Sequence, residues 1–222
     1  KVGKSMSTIS RSGLATDRHL WGLMSSLRWL TLFVLILLAV AATQAHSGVA
    51  KSSQGLSANE LVDLLNLDGH VEGGFFRRTY AADYTLLTPR GDERLSMTSI
   101  FYLLAAQSPI GHFHVNRSDI VHYFHLGDPI TYYLVHPDGQ LEMVVMGNDL
   151  RAGQRLQMTV PGGVWKASQI PADGEHGFGL VSEAVSPGFE YADMTLGYRD
   201  ELLKLFPQHE KLIRRLSHAD MP

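Results

Sequence analysis

The chain contains no cysteine. That excludes thiol nucleophiles, disulfides and zinc–thiolate sites. It carries little charge of either sign: Asp, Glu, Lys and Arg make up 18%, the net charge is -3, and no basic run occurs. Nucleic acid is therefore not an expected partner. There is no internal repeat and no low-complexity array. What is there is apolar: 45% of 222 residues, enough to pack the core of one domain with an appendage. A domain of about 150 residues can bury that core without disulfides, so the missing cysteines do not argue against export.

The appendage is N-terminal. Residues 29–42 read WLTLFVLILLAVAA, without a charge. A membrane span needs about 20 apolar residues, whereas the core of a secretory signal needs about 7–15. Arg28 precedes the run, and Thr43 and Ala45 place small residues three and one before a cleavage point. Residues 24–45 thus read as a signal peptide, and the mature protein as secreted or lumenal. The alternative is an uncleaved signal anchor that attaches the chain to the membrane through residues 20–42. Arg28 would then lie inside the span, at about 2.5–3.5 kcal/mol. Residues 1–23 read as a disordered or upstream extension, and 46–56 as a small polar linker. One glycosylation sequon is present, Asn116-Arg117-Ser118.

Ser57 with Glu60 makes a capping box ahead of Leu61, Val62, Leu64 and Leu65, predicting a helix over about 58–67 that stops at Asp68-Gly69. From residue 70 the pattern changes to short apolar runs. Strands are expected at 75–80, 97–105, 110–115, 120–126, 130–136, 140–146, 156–160, 164–169, 178–186 and 190–196. Gly and Pro punctuate them, as in Gly127-Asp128-Pro129, Pro161-Gly162-Gly163 and Pro187-Gly188. Pro137-Asp138-Gly139 between two apolar runs is a strong hairpin signal. About ten short strands argue for an all-β sandwich or barrel. Residues 199–217 follow as a helical tail broken at Pro207.

The most informative stretch is Gly111-His112-Phe113-His114-Val115-Asn116-Arg117-Ser118-Asp119. Histidines at i and i+2 of a strand share a face, so His112 and His114 are expected to point into one pocket. Inward imidazoles at this spacing can hold a metal, or line a pocket without one. If Ile120 faces inward, so does His122, and Asp119 falls at the rim. Glu72, before Gly73-Gly74, is a candidate pocket carboxylate or a turn acid, the glycines permitting close backbone approach. Trp165 is expected to pack in the barrel, with ligand stacking as the alternative. Arg77 and Arg78 are expected to be solvated, one on each face of a strand; the alternative is that they hold an anionic substrate.

Several motifs in register resemble the cupin superfamily. They are His70-Val71-Glu72-Gly73-Gly74, Met97 through Leu104, His114 through Ser118-Asp119 to Gly127-Asp128-Pro129, Val160-Pro161-Gly162-Gly163-Val164-Trp165-Lys166, and Pro187-Gly188-Phe189-Glu190. They are similar to one uncharacterised branch, related in shape to deoxyhexose epimerases and seed storage globulins. The resemblance covers about residues 57–217. It implies a double-stranded β-helix, the cupin jelly-roll barrel, with a short N-terminal helix and C-terminal helices outside, and a homodimer. It also exposes departures. Where the family has Glu, Trp and His after Ser-Asp, this chain has Ile120, His122 and Tyr123, and the second motif offers Trp165 and Lys166 in place of a further histidine. No cofactor is therefore expected. The alternative is a divalent metal on His112, His114 and His122.

The reading that follows is a barrel binding a small polar metabolite. In its enzymatic form, an epimerase or isomerase, His114 is the base, with Glu72, Tyr123 and Tyr133 as further catalytic candidates. His112, Asp119, His122, Trp165 and Lys166 are candidate ligand contacts. The alternatives are a metal-dependent oxygenase or isomerase, and an exported module that only binds.

Overall fold

A computed structural model describes residues 55–219. The apolar run at 29–42, the cleavage point after Ala45 and most of the linker lie outside the described residues. Helix α1, Ala58–Leu65, begins as the sequence requires. The Glu60 N–H donates to Ser57 Oγ at 3.3 Å, and the Ser57 N–H donates to the Glu60 carboxylate at 2.8 Å. The helix stops earlier than expected, at Asn66, whose left-handed backbone (φ 49) turns its N–H back onto the Val62 and Asp63 carbonyls.

Thirteen strands follow: β1 Asp68–Gly69, β2 Phe75–Ala81, β3 Thr85–Leu87, β4 Glu93–Leu95, β5 Thr98–Ala105, β6 Ile110–Asn116, β7 Asp119–Gly127, β8 Ile130–Val135, β9 Leu141–Met146, β10 Gln157–Val160, β11 Trp165–Gln169, β12 Phe178–Ser186 and β13 Met194–Leu196. One sheet runs β1-β2-β5-β12-β7-β10 and the other β13-β6-β11-β8-β9, with β3-β4 a separate ribbon. From β5 to β13 each strand crosses to the opposite sheet, except at the β8–β9 hairpin that turns on Pro137-Asp138-Gly139. That alternation is a jelly roll. The fold is all-β, a double-stranded β-helix with helices at both ends.

Nine of the strands, β2 and β5 to β12, fall where turn residues predicted them. β1, β3 and β4 are two or three residues long, too short to show a period. The expected strand at 190–196 is a 3₁₀ turn, Tyr191–Asp193, followed by the short β13. Asp193 explains the difference. Its carboxylate is gripped by Arg94 and Arg117, and its carbonyl accepts the Arg117 N–H at 3.0 Å. This pulls the backbone out of the extended path.

Three apolar cores result from the period-2 pattern. Tyr102, Leu104, Phe124, Tyr132 and Val181 pack between the sheets. Leu103, Leu180 and Phe178 pack under α1 on the outside of the larger sheet, with Leu56 of the expected linker against them. Phe113, Val135 and Ala167 pack outside the smaller sheet, under α2 (Arg199–Leu205) and α3 (Glu210–Leu216). Each buried Leu, Val or Phe contributes about 1.5–3 kcal/mol. Both faces of both sheets are thus covered in the middle of the barrel. The inner side chains near β2, β6 and β12 are left free for something other than packing.

Candidate functional site

Between the sheets, beside the apolar core, lies a cluster of ionisable side chains. The loop from His70 to Gly74 carries two of them. It folds against β6 because the Gly73 and Gly74 backbones take φ 95 and 70, and His112 N–H donates to Glu72 O at 2.6 Å. A Cβ at Gly73 would collide with the Ile110 carbonyl oxygen, and one at Gly74 would sit 2.7 Å from Leu103 O. The glycine pair is what lets Glu72 reach the barrel interior. Gly73→Ala should lower stability by about 1–3 kcal/mol, read from denaturant unfolding. An unchanged midpoint would show that the loop is free to move.

The rest of the cluster comes from strands. His114 stands on β6 with Lys166 opposite it on β11. His122 on β7 pairs in register with Glu183 on β12. His114 Nδ1 lies 2.8 Å from the His112 carbonyl, which can only accept, so Nδ1 carries the proton and Nε2 a lone pair. That lone pair faces Glu72 Oε2 at 3.2 Å, off the hydrogen-bond line. Lys166 Nζ lies 3.3 Å from both His122 Nε2 and Glu183 Oε2. An ammonium only donates, so His122 Nε2 accepts and its Nδ1–H faces Glu183 Oε1 at 3.1 Å. His70 Nδ1 accepts the Glu72 N–H at 3.3 Å, which puts its proton on Nε2.

Burial sets the charges. It pushes the Glu72 carboxyl up to about 8, with Lys166 opposing and Glu183 reinforcing. It lowers His70 to about 4, holds His114 well below the usual imidazole value, and lowers His122. Burial would raise Glu183 too. Lys166, then His122 and His114, outweigh it and hold that carboxyl below the usual range. At neutral pH the cluster is therefore one ion pair, Lys166–Glu183, beside a protonated Glu72 and three neutral imidazoles. Tyr102 and Tyr132, buried against it, are raised well above their usual values, first by burial, and stay protonated.

Above the cluster opens a cavity of about 390 Å³. His70, Glu72 and Glu183 form its polar floor, Phe76, Ile100, Ile120 and Val185 its apolar wall, and Arg78, Asn116 and Tyr191 are among the residues of the remaining lining. His114 backs Glu72 and is not part of the lining surface.

The sequence-chosen residues divide sharply. Glu72, His114, His122 and Lys166 meet in the cluster. His112 does not join His114. Between Lys166 and Ser168 the β6–β11 register slips, so His112 and Phe113 together oppose Ala167 and the two-residue period breaks there. His112 instead lies against His218, ring centroids 4.4 Å apart, with Nδ1 3.3 Å from Leu216 O. Tyr123 is on the outer face of β7, and Tyr133 on the outer face of β8 under Arg215. Each is one residue out of phase with an inward neighbour, His122 and Tyr132. Trp165 packs outside the barrel against the C-terminal helices rather than in it. Asp119 sits at the rim and accepts the Gly162 N–H at 2.8 Å. Asn116 of the sequon is buried and lines the cavity.

Glu183, His70 and Tyr132 were not singled out as site residues. Glu183 had a signal, being the lone charge in the apolar strand FGLVSEAVS. A divalent metal does not fit His112, His114 and His122. His112 faces the C-terminal segment, and the Lys166 ammonium already occupies the lone pair of His122. Among the described residues, no group of three or more His, Asp or Glu side chains is arranged to hold a metal ion.

Comparison with known proteins decides the family. The model described as Cupin superfamily (DUF985) matches residues 59–197. The chain belongs to that family. An uncharacterized protein of Saccharomyces cerevisiae is 40% identical over 162 residues, 67% of this chain and 80% of the yeast protein. A hypothetical protein from Leishmania major has the same cupin architecture, with a TM-score of 0.71 and 31% identity over 74% of this chain and 100% of its own. A Shewanella oneidensis protein solved by X-ray crystallography gives a TM-score of 0.67 and 36% identity over 74% of this chain and 99% of its own. The two solved structures share the barrel.

Proposed function

We propose that this cupin binds a small metabolite in the barrel cavity and moves a proton on it next to a carbonyl, as epimerases and isomerases do. One observation carries the reading: a cavity-lining carboxyl, Glu72, is tuned to about 8 and backed by the lone pair of a neutral imidazole. A proton-transfer group works best with a pKa near the working pH. At pH 7 about a tenth of the Glu72 side chains are ionised and able to accept a proton. Once protonated, the carboxyl is held against His114 Nε2, so His114 positions the base instead of meeting the substrate. His70, neutral and carrying its proton on Nε2, is placed to polarise a carbonyl. Glu183 stays ionised beside Lys166 over the same pH range, so the two floor carboxyls differ in protonation state.

The reaction balances without a co-reactant. The C–H bond next to the carbonyl breaks, its proton goes to Glu72, and the electron pair moves onto the carbonyl oxygen as an enediolate or enolate. Return of a proton to the same or the neighbouring carbon completes epimerisation or isomerisation.

The test is solvent exchange. A panel of aldoses, keto-sugars and sugar phosphates is incubated with the protein in D₂O and followed by proton NMR. Deuterium should enter the carbon next to the carbonyl. The rate should rise tenfold per pH unit and level off near 8. Glu72→Gln should slow exchange at least about a hundredfold. If a compound binds in the cavity and no exchange occurs, the proton-transfer reading fails and the barrel is a binding module.

A further inference from the structure

Two polar side chains on the cavity lining keep bonding capacity that the protein leaves unused. Asn116 is 8% exposed, on the inward phase of β6, and its Oδ1 is sealed from solvent without a partner. Leaving such an oxygen unmatched costs about 1–3 kcal/mol. Arg78 is the second. It follows Phe76 on the inward phase of β2, in register with Ile100 and hence, through β5, in the same row as Glu183, and stands solvent-exposed at the cavity mouth. Its Nη2 donates to Phe189 O at 3.3 Å, and no carboxylate pairs with it among the described residues. Glu190 shares the lining yet forms no ion pair with it. Arg77, by contrast, takes the outward phase.

These two groups impose different demands. A guanidinium offers several donors in a plane, the geometry that carboxylates and phosphates accept. An amide offers a donor and an acceptor side by side, which matches a hydroxyl. The floor adds no net charge, since Glu183 is cancelled by Lys166. The ligand's charge is therefore left to Arg78. Neighbouring strands are about 4.8 Å apart, so Arg78 and Glu183 stand about 10 Å apart at the backbone. A cavity of about 390 Å³ is at the small end for ligand sites and suits a compound of monosaccharide-phosphate size.

We infer that the cavity selects a small hydroxylated oxyanion, whose carboxylate or phosphate is held by Arg78 and one hydroxyl of which is read by the Asn116 amide. This rests on the cavity being the ligand site and names its substrate class. It does not require turnover. Asn116 is a specificity-determining residue in it, and Arg78 the anion anchor.

The experiment is calorimetric titration of the full chain with D-ribose 5-phosphate, D-glucuronate, neutral D-ribose and inorganic phosphate. At least one of the two hydroxylated anions should bind about tenfold or more tighter than D-ribose and than phosphate alone, and which one does so identifies the oxyanion. Arg78→Met should weaken that anion by about 10–100-fold and leave D-ribose unchanged. Asn116→Leu should weaken the hydroxylated anion by about 2–10-fold and leave inorganic phosphate unchanged. The same variant should melt no lower than the parent, because it removes an unmatched polar group. D-Ribose binding as tightly as both anions overturns the inference, as does failure of both anions to bind at millimolar concentration, or binding indifferent to Arg78→Met. Binding with the expected dependence but without solvent exchange leaves this inference standing and removes the proton-transfer reading alone.

Discussion

Lys166→Met should destabilise the barrel by about 3–5 kcal/mol, measured by urea unfolding at pH 7. Lys166 is 3% exposed and Glu183 7% exposed, so both charges have left water. Removing the ammonium leaves the Glu183 carboxylate buried beside Glu72, with only the neutral His122 ring against it. An uncompensated buried charge is among the most damaging single changes a core can suffer. The double variant Lys166→Met with Glu183→Leu should recover most of the loss, because a buried ion pair replaced by apolar groups of similar volume is close to neutral. A loss under about 1 kcal/mol in the single variant would mean that water reaches Glu183 from the cavity.

Glu72→Gln should stabilise the protein by about 3–5 kcal/mol at pH 8.5 and by little at pH 5. The sign follows from the raised carboxyl. Below pH 4.5 Glu72 is protonated in folded and unfolded chains alike and has no effect. Between 4.5 and about 8 the unfolded chain releases its proton while the folded one keeps it, so stability falls as pH rises. Above 8 the penalty is constant. Glutamine has nearly the same shape and no proton to lose, so the penalty disappears. His70 works in the opposite sense, its folded value being about 4 against the usual 6.5. Its stabilisation is present above 6.5 and lost as pH falls toward 4, and the variant should leave that acid limb in place. Equal gains at both pH values would show Glu72 to be ionised in the folded state. The change that helps stability should also abolish proton transfer, the usual conflict at a working site.

Much of this was legible before any coordinates. The strand positions followed from Gly and Pro punctuation, and the helix start from Ser57 and Glu60. Glu72 was legible because Gly73-Gly74 announces close backbone approach. Inward Ile120 fixed the phase of β7 and with it His122; the same phase puts Tyr123 outside, against its choice as a catalytic candidate. Tyr133 and Trp165 followed from chemical type, not phase. Their outward neighbours are α2 and α3, and no strand periodicity reveals which face of a sheet a distant helix will cover. The separation of His112 from His114 is a different matter. A bulge belongs to a pair of strands, and the slip opposite Ala167 depends on how β11 lies against β6. One strand read alone gives perfect alternation. The cluster itself needed the 70–74 loop, β6, β7, β11 and β12 brought together, residues up to 113 positions apart in the chain (70 to 183).

The buried sequon has a consequence for how the chain is made. Glycan transfer to Asn-x-Ser requires the asparagine in the open, and a glycan is too bulky for an interior position. In the folded barrel Asn116 faces the cavity, out of reach. In a compartment that glycosylates, modification and barrel closure therefore compete for the same side chain while β6 is still unpaired. β6 must wait for β11, some fifty residues later, and for β13 after that. A molecule modified in that interval cannot seat Asn116 at its buried position on β6. A molecule that closes first is permanently immune. The sequon thus reports on the order of events during synthesis, and the side chain it would consume is the one the cavity uses to read its ligand.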